Sequence, residues 1–326
     1  MVFKTIAMVL LYTVPFILLL FFVQNALVFW LLWIAMGFGA AGIGLCIMHD
    51  ANHGAYSRNK KVNSYLGNIL YILGGCASFW KLQHNVLHHT YTNVDGYDQD
   101  IKAPILRFSP RTKKLKVHRY QHYYAFGMYS LMTLSWATTK EFFQLRTFKK
   151  AGLLKNKWQF RKLLIESTLN KVFYFTVFLA LPALITPFSF WFVLLGFVSM
   201  HLVTGLILGL VFQPAHVMTE TAFPEPDDKG NLENHWAVHQ ILTTANFGIG
   251  SKFLSWILGG LNHQIEHHLF PSVCHVHYPQ LSPIVQQTAQ EYNLPYYTEK
   301  SWWSAIVNHG RMLKQLGRED TPQSES

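Results

Sequence analysis

The stretch that decides the fold is Ala26–Met48, which reads ALVFWLLWIAMGFGAAGIGLCIM and contains no charged side chain. It is longer than the roughly 20 apolar residues that a helix needs to cross a bilayer. A second apolar run, Ile6–Val23, precedes it, and Val172–Ile185 and Phe188–Phe212 form another pair. These runs predict four membrane-spanning helices in two hairpins, at approximately 6–23, 26–48, 172–186 and 188–212.

The composition and the charge distribution agree with a membrane protein. Of 326 residues, 50% are hydrophobic and 13% are charged, whereas a soluble domain carries about a quarter charged residues. The segment from His49 to Lys171 holds 20 of the 27 Lys and Arg residues, so the positive-inside rule places it in the cytoplasm. Because the number of spans is even, we expect the termini and residues 213–316 on the same side. The net charge of +10 then reflects topology, and we expect no nucleic-acid binding.

These features predict an integral membrane protein of four helical spans, with segments 49–171 and 213–316 in the cytoplasm. We expect a single domain over residues 1–316 and a polar, disordered tail over 317–326. The apolar stretch Tyr123–Thr139 is short and holds several polar groups, so we expect it to lie at the membrane interface and not to span. The three cysteines form no CxxC pair and indicate no disulfide framework.

Many of the 17 histidines fall into three clusters, His49-Asp-Ala-Asn-His53, His84-Asn-Val-Leu-His88-His89 and Gln264-Ile-Glu-His267-His268. Residues four apart share one face of a helix, so paired imidazoles can point at a common centre. His89 projects about 100° from His88 and can reach a neighbouring metal. Imidazole binds iron, copper, zinc and nickel. With the isolated histidine after the fourth span, the clusters predict a di-metal site held by His49, His53, His84, His88, His89, His216, His267 and His268.

Other polar side chains near the clusters are candidates for supporting roles. A weak ligand or a residue that orients a ligand is expected among Gln264, His239, His235, Asp50 and Glu266. The two carboxylates of that set lie inside clusters, where they can accept the second N–H of an imidazole. The same role, or contact with a substrate head group, is open to Asp95, Asp98 and Asp100. Carboxylates are otherwise scarce near the clusters, which argues against the Glu-rich di-iron sites of soluble helical bundles.

The sequences HDANH, HNVLHH and QIEHH resemble the three histidine boxes of membrane fatty-acid desaturases. Gln264 at the start of the third box, with Gly259–Asn262 before the box and Leu269–Pro271 after it, resembles the front-end subgroup (delta-5/delta-6, linoleoyl-CoA desaturase-like). That subgroup acts between an existing double bond and the carboxyl end of the acyl chain. The stretch from Trp236–Gln240 to Asn246–Phe247 also resembles that subgroup, and the whole similarity covers Ile43–Pro279. It implies an all-α fold in which a cytoplasmic helical cap over the four spans holds two iron ions on the eight histidines. It also implies that O₂ is the co-substrate and that no catalytic residue is needed beyond the metal centre.

The resemblance implies a fatty acyl desaturase that introduces a cis double bond into a long-chain acyl-CoA or acyl-lipid. Oxygen activated at a redox metal can attack an unactivated C–H bond, whereas side chains cannot. The protein then contributes ligation and positioning, with the acyl chain in an apolar tunnel that Phe79, Trp80 and Trp256 are candidates to line. A di-iron membrane hydroxylase shares the boxes and stays an alternative. A His-rich metal transporter is the alternative from a different class, although transporters place polar ligands near the bilayer midplane.

The expected electron donor follows from a departure from the family pattern. Eukaryotic front-end enzymes commonly carry a fused cytochrome b5 domain with a His-Pro-Gly-Gly motif, which this sequence lacks. We therefore expect a separate donor, a ferredoxin or cytochrome b5 with its reductase, and the basic stretch Arg107–Arg119 as a candidate docking surface for it. The missing motif also favours a bacterial cytoplasmic membrane over the endoplasmic reticulum.

Overall fold

A computed structural model describes residues 1–103 and 105–320. They group into two compact units. The first comprises Met1–Trp80 and Met128–Gly209, and the second comprises Lys81–Gly127 and the residues from Leu210 onward. The single domain expected over 1–316 stays a prediction, and residues 321–326 of the expected tail lie outside the described residues.

Four helices are long and apolar enough to cross a membrane, Val2–Phe21, Ala26–Asn52, Lys157–Ile185 and Phe190–His216. The prediction of four spans is confirmed, but each helix extends beyond its apolar run at one end. The second and the fourth continue into the histidine segments, because the backbone hydrogen bonds of a helix are internal and tolerate polar sequence. The third helix begins at Lys157, well before residue 172. Asn156 caps it by accepting the backbone N–H of Gln159 at 2.9 Å. The first half of this helix is polar, so a search for apolar runs does not detect it.

Small residues let the spans of the first unit approach closely. A Cβ added at Gly39 of the second span would lie 2.6 Å from the backbone nitrogen of Tyr12 in the first span. Only glycine therefore permits this contact between the two helices. The hydroxyl of Thr204 in the fourth span donates to the carbonyl oxygen of Gly37 in the second at 3.1 Å, which adds an interhelical hydrogen bond.

Shorter helical elements complete the first unit: Lys60–Gly67, Asn68–Leu73, Ala77–Trp80, Met132–Ser135, Trp136–Lys140 and Glu141–Lys150. A buried ion pair ties them to the third span. Lys171 Nζ lies 2.8 Å from Glu141 Oε2 and donates to the carbonyl oxygen of Gly74 at 2.7 Å. Glu141 Oε1 accepts the backbone N–H of Cys76 at 2.7 Å. Both charges are hydrogen-bonded, as burial requires, and together they hold the turn that leads into Ala77–Trp80.

The second unit is also mainly helical. Its helices are Lys81–His88, Lys116–Tyr120, Trp236–Thr243, Lys252–Ile257, Gln264–Leu269, His275–His277, Tyr278–Glu291 and Trp302–Arg318. Two parallel strands of two residues each, Asn246–Phe247 and Thr298–Glu299, pair in the register Asn246 to Thr298. They are a small departure from the predicted all-α fold. A core of Ile241, Ile265 and Val285 packs the third-box helix against its neighbours.

Gln121–Ser130, which overlaps the stretch Tyr123–Thr139 expected at the membrane interface, is helical and is not among the four candidate spans. Its position at the interface stays a prediction. The last helix reaches Arg318, two residues into the expected tail. Gly317 lets it pack closely, since an added Cβ would collide with the carbonyl oxygen of His118.

Arg107 is fully buried and anchors this last helix. Its guanidinium donates to the carbonyl oxygens of Thr112 and Glu319, each at 2.7 Å, and also to that of Leu316. Burial therefore excludes Arg107 from the exposed docking surface expected over Arg107–Arg119.

Candidate metal centre

The second histidine box lies in a π-helical segment, Lys81–His88, and not in the α-helix that the expected 100° offset of His89 assumes. The backbone N–H of His89 donates to the carbonyl oxygen of His84, five residues earlier, at 3.0 Å. The two rings are nearly perpendicular, with an interplanar angle of 83°, and their Nε2 atoms lie 3.3 Å apart. Nitrogens bound to one metal at about 2.1 Å lie about 3 Å apart. π-Helical turns are rare and frequent at functional sites, and this one orients two imidazoles towards one point.

The second unit brings together six of the predicted ligands, and all of them are buried: His84, His88, His89, His216, His267 and His268. One nitrogen from each of His88, His216 and His268 lies within 4.8 Å of the others. The same holds for His89, His267 and His268. Because His268 belongs to both groups, the two groups adjoin, and the chemistry of the donors fits two metal ions held by neutral nitrogens.

A pair of carboxylates orients the second-box rings. His88 Nδ1 lies 3.0 Å from Asp98 Oδ2 and 3.1 Å from Oδ1, while His84 Nδ1 lies 3.3 Å from Asp100 Oδ2. Burial lowers the pKa of His88, but Asp98 and Asp100 outweigh burial and leave that pKa raised. For His84, burial lowers the pKa and the hydrogen bond to Asp100 only partly offsets it. Such carboxylate–imidazole pairs fix the orientation of metal-binding histidines.

Three further rings are held by hydrogen bonds at their Nδ1 atoms. His268 Nδ1 lies 2.7 Å from Gln240 Oε1, and His267 Nδ1 lies 3.2 Å from the Tyr278 hydroxyl. His216 Nδ1 lies 3.3 Å from the carbonyl oxygen of Thr243. In each ring Nε2 is then the nitrogen that can bind a metal. Within residues 1–103 and 105–320, His216 Nε2 has no hydrogen-bond partner. A buried polar atom without a partner is costly, and a metal ion would satisfy it.

Within the first unit, His49 and His53 of the first box form a pair of rings whose centroids are 4.7 Å apart. Trp80 packs edge-on against both, at 5.5 Å from His49 and 5.3 Å from His53. Asp50 is buried in the same helical turn. A spacing of four therefore places both imidazoles on one face, as the sequence predicts.

The two proposed tunnel residues of the first unit differ in their surroundings. Phe79 is fully buried and packs on Phe148 with ring centroids 6.0 Å apart, so it belongs to the core of that unit. Trp80 contacts the first-box histidines instead. In the second unit, Trp256 is 38% exposed, and its role as a tunnel residue stays a prediction.

The weaker histidine candidates lie apart from the ligand groups. His235 is exposed where Trp236–Thr243 begins. His239 is buried, but none of the ligand groups found among the described residues includes it. Burial lowers the pKa of His239, partly offset by a hydrogen bond to the backbone of Thr92. The next residue, Gln240, is the one that orients His268, and its only sequence signal was its place in a stretch that resembles the front-end subgroup.

The remaining candidates of the third box have identifiable partners. Gln264 Nε2 donates to the carbonyl oxygen of Leu261 at 2.8 Å. Glu266 accepts from Asn246 Nδ2 at 2.9 Å and from the Tyr296 hydroxyl at 2.6 Å. Burial raises the pKa of Glu266, and these hydrogen bonds lower it in part. Both side chains thus brace the loops around the third box.

Comparison with known proteins identifies the family. A family model described as fatty acid desaturase matches residues 3–300. The chain belongs to the fatty acid desaturase family. It is therefore an integral membrane oxidoreductase of the desaturase type, and the predicted resemblance is confirmed.

Characterised relatives in this family act on lipid-linked acyl chains according to their names. The chain is 36% identical over 297 residues to the acyl-lipid (8-3)-desaturase of Physcomitrium patens, covering 89% of this chain and 60% of the moss protein. It is 35% identical over 287 residues to the sn-1 linoleoyl-lipid 6-desaturase of Synechocystis sp., covering 85% and 77%. The sn-1 linoleoyl-lipid 6-desaturase of Arthrospira platensis is 33% identical over 289 residues, with 87% and 76% covered. These names agree with the front-end subgroup. The chain spans less than two thirds of the moss protein.

Proposed function

We propose that the chain is a front-end acyl-lipid desaturase. With O₂ as the oxidant and two electrons from a donor, accompanied by two protons, it removes two hydrogens from adjacent carbons between an existing double bond and the carboxyl end of an acyl chain. A cis double bond forms and two water molecules are released. The observation that carries this proposal is the pair of buried histidine groups that share His268, in a chain whose family model covers residues 3–300.

The residues present fit two iron ions, the metals that the family generally uses. The proposed ligands are His49, His53, His84, His88, His89, His216, His267 and His268. Bound iron supplies the oxygen-activating redox chemistry that an unactivated methylene requires. Asp98 and Gln240 hold the rings of His88 and His268 in place. Burial of the ligand rings keeps bulk water from the site, which protects reactive oxygen chemistry from side reactions.

The proposed substrate is a polyunsaturated acyl chain in a membrane lipid. The names of the relatives support a lipid-linked substrate, since both cyanobacterial proteins act on a linoleoyl lipid at the sn-1 position. Acyl-CoA is the alternative carrier. The acyl chain would be positioned so that one C–C bond faces the histidine groups, and positioning of this kind supplies a large share of the rate.

Electrons are proposed to come from a separate ferredoxin or cytochrome b5 with its reductase. Three basic side chains of the expected docking surface, Lys113, Lys116 and Arg119, are exposed and available to an acidic donor. Arg111 is instead engaged by Glu225. The concentration of basic residues between His49 and Lys171 supports a cytoplasmic location for the histidine boxes and the termini. The proposed membrane is the bacterial cytoplasmic membrane, and the endoplasmic reticulum is the alternative.

Expression in a host that contains linoleoyl lipids and a matched donor tests the function by mass spectrometry of its fatty acids. We expect a new double bond on the carboxyl side of the existing ones with the wild type, and none with His268→Ala, which removes the ligand that both groups share. His277→Ala, at an exposed histidine outside the boxes, is the matched control and should keep activity. A hydroxylated chain would favour the hydroxylase, and iron-loaded protein without any product would favour a metal transporter.

A further inference from the structure

A pocket of about 320 Å³ in the second unit is distinct from the two histidine groups. Its polar walls are Asn93, Asp95, Ser109, Arg111 and Glu225, and Phe223 supplies an aromatic surface. The volume lies at the lower end of the range for small-molecule sites. Prolines on either side of Glu225 also line the pocket and restrict the backbone φ angles there.

The charges of this pocket disfavour an anionic ligand. Among the described residues that line the pocket, Arg111 is the one cation, and Glu225 engages its guanidinium through two parallel hydrogen bonds. Asp95, which accepts from the Thr112 hydroxyl at 3.3 Å, adds a second carboxylate. The formal charge of the wall is therefore −1, from two carboxylates and one guanidinium. A phosphate group would meet net repulsion from these described lining residues, whose guanidinium is already paired.

Hydroxyl groups match the same wall well. A planar guanidinium–carboxylate pair presents donors and acceptors side by side, which suits the neighbouring hydroxyls of a sugar. The ring of Phe223 offers an apolar surface for the C–H face of a sugar ring. Charged acceptors also form stronger hydrogen bonds to hydroxyl groups than neutral acceptors do.

The floor of the pocket is linked directly to the metal-binding elements. Asn93 follows the second box, and its Nδ2 donates to the carbonyl oxygen of His216 at 2.8 Å. The backbone N–H of Asn93 donates at 3.0 Å to Asp98, which orients His88. A head group bound here would be held in a fixed relation to two proposed ligands. The distance from the bound head group to the histidine groups would then determine which carbons react, counted from the carboxyl end of the acyl chain, as front-end desaturation requires.

From these observations we infer that this pocket binds an uncharged, hydroxyl-rich head group, as in a glycosyl diacylglycerol. The inference rests on the proposed acyl-lipid desaturase function and assigns its substrate class. Phosphatidylglycerol and phosphatidylcholine, which both carry a phosphate, are then poorer substrates than a glycosyl lipid with the same acyl chains.

The test compares three lipids with identical linoleoyl chains and galactosyl, phosphoglycerol or phosphocholine head groups. Each is supplied to the iron-loaded full chain with reduced donor. We expect the wild type to prefer the galactosyl lipid by about tenfold in kcat/KM, the effect of one charge-assisted hydrogen bond. Asp95→Ala and Phe223→Ala should bring the ratio of galactosyl to phosphocholine lipid close to one. Glu233→Ala, an exposed carboxylate outside the pocket, should keep the wild-type ratio.

A second measurement is independent of catalysis. Saturation-transfer NMR with galactosylglycerol should show contact with the full wild-type chain and a clear loss of signal with Asp95→Ala. Equal rates with all three lipids, or a galactosylglycerol signal that the variant leaves unchanged, would overturn the head-group assignment and leave desaturation intact. If no lipid yields product although galactosylglycerol binds in an Asp95-dependent way, the proposed function fails and the pocket assignment stands.

Discussion

Asp98 offers the sharpest test of how the protein holds its metal centre. Its side chain is fully buried, and its oxygens contact His88 Nδ1 at 3.0 and 3.1 Å and accept the backbone N–H groups of Asn93 at 3.0 Å and Asp100 at 2.8 Å. Asp98→Asn keeps the shape but replaces one acceptor oxygen by an NH₂ donor. That group must then face a donor, so at least one of these hydrogen bonds is lost.

Loss of such an orienting partner costs about 10–100-fold in metal affinity, which corresponds to about 1.4–2.7 kcal/mol. The assay loads purified wild type and Asp98→Asn with iron, exposes both to increasing chelator, and measures the iron that remains by mass spectrometry. Asp228→Asn, on an exposed loop, is the matched control and should behave as the wild type does. Thermal unfolding of the variants separates loss of metal from loss of fold. Folded Asp98→Asn that holds iron as tightly as the wild type would refute the role assigned to the His88–Asp98 pair.

Three further predictions concern other buried groups. Gln240→Leu removes the acceptor that orients His268 and should lower iron affinity about tenfold. Gln240→Glu keeps an acceptor and should restore the affinity. Unchanged resistance of the leucine variant to chelator would contradict the role of Gln240. Glu141→Gln leaves Lys171 without its counter-charge and should destabilise the protein by about 3–5 kcal/mol, measured as a lower Tm in detergent. The double variant Glu141→Gln with Lys171→Met should lose less stability. An equal loss in both variants would count against the ion pair. Burial lowers the pKa of His309 to about 4, so as pH falls from about 6.5 to 4 the unfolded state gains the proton first and up to about 3 kcal/mol of stability is lost. His309→Asn should flatten the fall of Tm between pH 7 and 4.5, and parallel curves for wild type and variant would refute the assignment.

The four spans could be predicted because long uncharged runs such as Ala26–Met48 have one physical interpretation. The start of the third helix at Lys157 could not, because its first half is polar and its helicity depends on an Asn156 cap and on packing. The π-helical turn at Lys81–His88 was equally hidden. The pattern of hydrophobic residues does not distinguish a π-helical turn, which has one extra residue, from an α-helical turn. Yet this extra residue brings His89 Nε2 next to His84 Nε2.

The ligand candidates were visible in sequence because histidines recur at a spacing of four and in adjacent pairs. The residues that orient them were only partly visible. Asp98 and Asp100 lie within a few residues of the second box and were candidates. Gln240 acts on a histidine that is distant in sequence, and only the fold brings the two together.

The most direct test of the central claim is the product formed from a linoleoyl lipid by the purified, iron-loaded chain with reduced donor and ¹⁸O₂. Mass spectrometry of the released fatty acid gives its mass, its isotope content and the position of each double bond. The account predicts a fatty acid that has lost two hydrogens, carries no ¹⁸O, and has its new double bond on the carboxyl side of the existing ones. A product that contains ¹⁸O, or a new double bond on the methyl side, would contradict it.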